Sequence, residues 1–278
     1  MLRSVAVATV SVCLLGSLTG CQEALRPIDE ASMKLVQLEP PKEGQDTAII
    51  ETTKGTIKIL LYPEYAPNTV AFFKQLVNEG FYKNNRIFTV YPDLSFVTGS
   101  SDGKGAKGKQ YNDKPIDMEY SDNIWPFTGT VCSISAKERQ GDSRFFINGS
   151  IDITADLQNQ MTENKFPQKV VEGFDAVGGI PGYSRRFTVF GQVYEGFDVV
   201  QSILKEPVED DKETPKNDLF IQNITLSQYK DGELSEEAEA QTLWAKAKKA
   251  QEKQKQEEQK KVSSASNSAS SQKSENSK

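Results

Sequence analysis

Between Gly129 and Ile147 two short apolar runs are joined by a polar loop, and this pair limits what can surround it. Val131, Cys132 and Ile134 read as one strand and Arg144 to Ile147 as the next, with Lys-Glu-Arg-Gln-Gly-Asp between them as turn chemistry. A two-strand unit this apolar has to be covered by neighbouring elements, and its flanks supply more of the same kind. Thr47–Thr52 and Thr56–Leu61 form a hairpin about the Lys54-Gly55 turn, and Phe187–Val193 and Leu219–Leu226 are further strands. Two amphipathic helices lie among them. Val70, Phe73, Leu76 and Val77 share one face of the segment from Pro67, which Gly80 stops, and Phe197–Leu204 ends before Pro207. The pattern is that of one mainly β domain with two helices.

Composition restricts the chemistry. The chain has no histidine, which removes Ser-His-Asp and Cys-His catalysis, His-ligated zinc and any imidazole proton shuttle. A net charge of -6 argues against nucleic acid as a partner. Gly103, Gly108 and Lys109 match Gly-x-x-x-x-Gly-Lys, but Gln110 stands where the magnesium-binding Ser or Thr belongs and no apolar helix follows, so the match is read as accidental. Cys132, in a strand pattern without an adjoining base, is read as a small buried apolar residue and not a reactive thiol.

The ends differ from the middle. Residues 1–20 carry one early cation, Arg3, and an apolar run too short to span a bilayer, closing on Leu18-Thr19-Gly20-Cys21. This resembles the signal of bacterial lipoproteins, which implies lipid (palmitate) on Cys21 and attachment to the extracytoplasmic face of the cell membrane. Residues 21–46, with Pro27, Pro40 and Pro41, are expected to be a flexible tether, residues 47–230 the domain and about 148–182 an extended loop with a helical piece. Residues 231–261 are expected to form a solvated charged helix capped by Ser235, and residues 262–278 a disordered tail.

From about Thr47 to Ser227 the chain resembles the cyclophilins. The resemblance rests on Thr53-Lys54-Gly55-Thr56-Ile57, Ala66-Pro67-Asn68-Thr69-Val70-Ala71-Phe72-Phe73, Gly80-Phe81-Tyr82, Phe145-Phe146-Ile147-Asn148, Val189-Phe190-Gly191-Gln192-Val193 and Gly196-Phe197-Asp198-Val199-Val200, in that order. With the lipid signal, the layout looks like the surface lipoprotein rotamases of Gram-positive bacteria. The family implies a closed eight-stranded antiparallel barrel capped by two helices. It also implies peptidyl-prolyl cis-trans isomerisation without metal or cofactor, acting as a folding helper on unfolded or Pro-containing exported chains, by a monomer.

Rotation about an X-Pro bond faces a barrier of ~18–20 kcal/mol from amide resonance. A site that grips the proline ring and donates a hydrogen bond to the prolyl nitrogen stabilises only the twisted state. In the family an Arg after Phe-His makes that bond. Here Ile87-Phe88-Thr89 stands at those positions, so Thr89 replaces the Arg. The resemblance places Phe96, Thr98, Ile134, Ser135, Phe146, Tyr183 and Phe187 around the substrate, with Phe146 at the pocket floor. Arg144 stands where a family Gln lines the site, and is expected either to take over the missing hydrogen bond or to be a partly exposed strand residue. Arg86, Arg139, Arg185 and Arg186 are weaker candidates. The alternatives to an enzyme are a catalytically degenerate peptide holder and a structural surface protein that uses the barrel as a rigid body.

Overall fold

The computed structural model describes residues 28–137, 139–209 and 213–275. The signal-like segment and Cys21 lie outside them. Strands β1 (Asp46–Thr52), β2 (Gly55–Leu61), β3 (Asn85–Arg86), β4 (Thr89–Tyr91) and β5 (Ser95–Thr98) come first, then β6 (Ile116–Asp117), β7 (Thr130–Ser133), β8 (Gln140–Gly141), β9 (Phe145–Asn148), β10 (Thr188–Glu195) and β11 (Phe220–Gln228). Nine of them form one curled antiparallel sheet in the order β3-β11-β1-β2-β10-β7-β9-β5-β4, and β6 pairs with β8.

The expected closed eight-stranded barrel is corrected here: the ladder is open, with β3 and β4 at its edges. The physical reason lies in residues 85–91. The Ile87 N–H donates to Leu219 O (2.9 Å) and the Phe88 N–H to Val97 O (3.0 Å), so successive amides bond to opposite sides. The chain itself joins the two edges, and among the described residues no ladder runs between them.

Alternation sets the core. Ile57, Ile59 and Leu61 on β2 and Ala48 and Ile50 on β1 point inward with essentially no exposure. Strands β5, β7 and β9 are buried at every residue, on both faces. Helix α1 (Pro67–Asn78) packs on β10 and β11, and its Phe73 ring lies 5.3–5.8 Å from those of Tyr82, Phe145 and Phe190. Helix α4 (Phe197–Leu204) lies against β2, β4 and β5. It starts from Gly196 at φ 87°, where a Cβ would come within 2.3 Å of Thr56 O, so only glycine fits.

The start of α1 has no cap of its own, because Ala66 has no side-chain acceptor. Glu119, distant in sequence, supplies one: its carboxylate accepts from the N–H groups of Asn68 (3.0 Å) and Thr69 (2.9 Å) and from the Thr69 hydroxyl (2.8 Å). Glu119→Ala is expected to lower stability by about 1–2 kcal/mol, the usual cost of a lost N-cap, read as a shifted urea midpoint.

Four of the expected segments are built differently. Residues 28–46 belong to the fold: Met33 is buried, and Gln37, in a short 3-10 turn (Val36–Leu38), is 1% exposed. The Gln37 amide donates to Trp125 O (2.8 Å) and Gln192 Oε1 (2.9 Å) and accepts from the Trp125 N–H (2.6 Å). The expected loop at 148–182 holds two helices, α2 (Ala155–Glu163) and α3 (Gln168–Val177), seated by Phe166 on Trp125 and Phe174 on Phe127.

Ser235 caps α5 (Glu236–Gln241) as expected, but Thr242 breaks the helix, and α6 (Leu243–Glu275) docks on α3 and the Val36–Leu38 turn. Leu243, Trp244 and Ala247 are buried, so the expected solvated helix is anchored at its first turn. It continues past Lys261 through most of the expected disordered tail. A docked first turn supplies the costly nucleus, and each later Ser or Asn then costs only a few tenths of a kcal/mol.

Candidate functional site

The register of the sheet builds an apolar row on its outer face. Thr89 pairs with Val97, Val97 with Phe146, Phe146 with Cys132, and Cys132 with Val189. Directly paired residues share a face, so one line of side chains crosses β4, β5, β9, β7 and β10. Tyr183 and Phe187 cover the middle of it. Their ring centres lie 5.4 and 5.0 Å from that of Phe146 and 5.4 Å from each other, at interplanar angles of 73–86°. Three mutually edge-on rings form a preferred arrangement that holds its shape without a ligand. Phe146 is buried, whereas Tyr183 and Phe187 are half-buried and face solvent on one side.

The other expected site residues divide around this cluster. Ile134 is half-buried beside it. Thr89, half-buried, ends the row at the β4 edge. Ser135 bonds through its hydroxyl to the backbone of Lys137 in a local turn. Phe96 and Thr98 are corrections, because both lie on the opposite face. Phe96 is 1% exposed inside the core opposite Ile147, and the Thr98 hydroxyl donates to Asn85 Oδ1 (3.2 Å) and Arg86 O (3.1 Å). A strand alternates with period two, so Val97 takes the outward position and its neighbours cannot.

Arg144 is neither free nor partly exposed. It is 7% exposed, and its guanidinium is consumed: Nε and Nη2 donate to the Asp142 carboxylate (3.0 and 2.6 Å) and Nη1 to Gly105 O (2.7 Å). The Asp142 carboxylate also accepts from the Arg144 backbone N–H at 2.9 Å. This paired arginine fixes the glycine-rich loop at 99–110. Gly105, at φ 87°, lies so close to Phe88 that a Cβ would meet the ring at 2.5 Å. The loop thereby walls the Phe88 side of the aromatic cluster.

The remaining arginines are sorted by position. Arg86 pairs with Asp218 (2.9 Å). Arg139 is exposed at φ 59° on the loop before β8. Arg185 pairs with Asp122 (3.1 Å). Arg186 is exposed, with its guanidinium carbon 5.9 Å from the centre of the Phe187 ring, which makes it a cation at the cluster itself. Burial pushes the Cys132 thiol well above its usual range, so beneath Phe146 it acts as an apolar residue.

The fold is thus mainly β, a curled antiparallel sheet with α1 against β10 and β11 and an outward cluster of rings at Phe146 on β9. The chain belongs to the cyclophilin-type peptidyl-prolyl cis-trans isomerases: the family model "Cyclophilin type peptidyl-prolyl cis-trans isomerase/CLD" matches residues 47–226. It is similar to peptidyl-prolyl cis-trans isomerases of Staphylococcus aureus (25% identical, over 67% of this chain and 94% of the relative) and Staphylococcus saprophyticus (26%, over 68% and 96%). A bifunctional phosphatase/peptidyl-prolyl cis-trans isomerase of Streptococcus pyogenes is 28% identical over 73% of this chain, which spans 43% of that protein.

Among solved structures, a cyclophilin-type isomerase of Cryptosporidium parvum superposes with a TM-score of 0.53 at 19% identity, over 67% of this chain and 99% of that one. A second structure of that protein, with a TM-score of 0.52 at 20% identity over 66% and 99%, was determined in the presence of the dipeptide Ala-Pro. Among the described residues no helix is long and apolar enough to cross a membrane.

Proposed function

We infer that this isomerase works outside the cytoplasm, tethered by lipid on Cys21, and turns X-Pro bonds in exported polypeptides by seating the proline ring on the Phe146, Tyr183 and Phe187 cluster. The observation that carries the reading is that three-ring cluster, outward-facing and half-open on a sheet of this family. The Ala-Pro dipeptide present with the Cryptosporidium relative supports a Pro-containing ligand. The Leu18-Thr19-Gly20-Cys21 box supports the anchor.

With Arg144 committed to Asp142 and Gly105, the hydrogen-bond donor for the prolyl nitrogen has to come from elsewhere. Arg186, at the rim of the Phe187 ring, is our assignment. An apolar floor holds the ring in both ground and twisted states, and a guanidinium donor favours only the twisted one, where the nitrogen lone pair is released from resonance.

Phe146→Ala removes a ring worth about 1.5–3 kcal/mol of apolar contact, so kcat/KM on an Ala-Pro peptide is expected to fall about 10- to 100-fold, as measured by exchange NMR. Arg186→Ala is expected to lower kcat more than it raises KM. An unaltered rate in Phe146→Ala would place the site elsewhere. Palmitate labelling that persists in Cys21→Ala would remove the anchor.

A second reading, a peptide holder without turnover, is favoured by Thr89 at the family's Arg position and by the occupied Arg144 guanidinium. It predicts that the peptide binds at the same cluster with no acceleration of its isomerisation.

A further inference from the structure

Next to the aromatic cluster, and sharing Phe187 with it, is a shallow surface cleft that is open to solvent. Buried Ile124, Trp125 and Val189 form its floor, and half-buried Tyr120, Phe187 and Arg185 its rim. We propose that this cleft is a second subsite of the isomerase, taking an aromatic side chain of the Pro-containing polypeptide close to the proline; the proposal rests on the proline seat at Phe146.

Three observations point to that occupant. The first is continuity: Phe187 packs on Phe146 with one side and lines the cleft with the other, so a bound chain that leaves the proline seat past Phe187 enters it. An extended chain advances ~3.3 Å per residue, which puts the subsite within one to three residues of the proline.

The second is the chemistry of the walls. Tyr120, Trp125 and Phe187 offer ring faces and edges, and the Arg185 guanidinium lies 5.6 Å from the Tyr120 ring centre and 5.9 Å from that of Trp125. A further ring entering there would meet the rings of Tyr120, Trp125 and Phe187 and a cation already close to two of them, the combination that favours aromatic over aliphatic side chains.

The third is that the walls are held in place. Arg185 sits at φ 59°, in the left-handed region that non-glycine residues rarely adopt, and its Nη2 donates to Asp122 Oδ1 at 3.1 Å with the Arg185 side chain 22% exposed. The Trp125 indole N–H donates to Asp122 O (2.8 Å), and its backbone N–H donates to Gln37 Oε1. Phe166, from the 148–182 segment, packs on the Trp125 ring at 5.7 Å. The folded N-terminal segment and the inserted helices thus both buttress this wall. Asp122 neutralises Arg185, so the cleft is not built as an anion site.

The test is a set of short peptides around Ala-Pro with Ala, Leu, Phe or Glu at each flanking position, assayed for kcat/KM by exchange NMR and for Kd by calorimetry. At one position the Phe peptide is expected to exceed the Ala peptide about tenfold in both measures, with Leu between them. Tyr120→Ala is expected to bring the Phe peptide down to the level of the Ala peptide, and Arg185→Gln to do so in part. The second variant keeps the comparison valid if the first does not fold.

Peptides that bind and turn over alike within twofold would overturn the subsite while leaving the isomerase reading intact. A Glu preference abolished by Arg185→Gln would overturn the aromatic assignment. A Phe preference in Kd without turnover of any peptide would sustain the subsite and remove the catalytic reading.

Discussion

Replacing Arg144 by alanine is expected to lower folding stability by about 3–5 kcal/mol, because it leaves the Asp142 carboxylate buried without its cation. Asp142 is 8% and Arg144 7% exposed, so water cannot substitute for the lost partner. Arg144→Lys is expected to rescue little of this. A point charge cannot give two bonds to the carboxylate and a third to Gly105 O in the geometry of the guanidinium.

The double variant Asp142→Ala/Arg144→Ala is expected to be more stable than Arg144→Ala alone, since neither charge is then stranded. Urea midpoints at constant slope measure all three. A loss below about 1 kcal/mol in Arg144→Ala would show that the pair is solvated in solution and that the glycine-rich loop is fixed by something else. Isomerase activity in Arg144→Ala is expected to fall through a raised KM, as the wall at Gly105 and Phe88 loosens, with less effect on kcat. An equal loss in kcat alone would instead put Arg144 at the prolyl nitrogen.

Gln37→Ala is the second large effect, at about 3 kcal/mol. The substitution leaves the Trp125 N–H and carbonyl and the Gln192 side chain without the amide that now pairs with them, in a region closed to water. A chain begun at Asp46 loses the same bonds together with buried Met33, so it is expected to unfold at lower urea than a chain begun at Ile28. The two chains unfolding at the same midpoint would make residues 28–45 an ornament of the fold. Because Trp125 forms a wall of the cleft, its fluorescence should report the Gln37 substitution directly.

The strands that carry the candidate site were legible in the sequence because their signal is local. The Phe-Phe-Ile-Asn run shows that Phe146 lies in a strand, while the grouping of Phe146 with Tyr183 and Phe187 came from the resemblance to the family, and the structure brings the three rings together. Phe96 and Thr98 were misplaced because a short strand of four buried residues gives no polar alternation to fix its phase, and a shift of one residue turns every side chain over. The docking of α6 had a faint signal, since Leu243, Trp244 and Ala247 fall on one helical face, but three residues do not announce what they dock against. Gln37 had none: a polar residue between prolines looks the same whether it lies in a tether or in a core.

What the sequence determined by itself is the run of strands and helices and the absence of imidazole chemistry, because propensity, period and residue type are properties of neighbouring positions; Phe146, Tyr183 and Phe187 were named only through the family resemblance. Tertiary structure alone decided that Arg144 belongs to Asp142 and Gly105, that Glu119 caps α1 and that Gln37 clamps Trp125. Apart from the Arg144–Asp142 pair, two residues apart, each of these bonds joins segments far apart in the chain. A buried charge or amide takes whichever partner folding brings within about 3 Å, and that distance is set by how the sheet curls, not by the residues on either side.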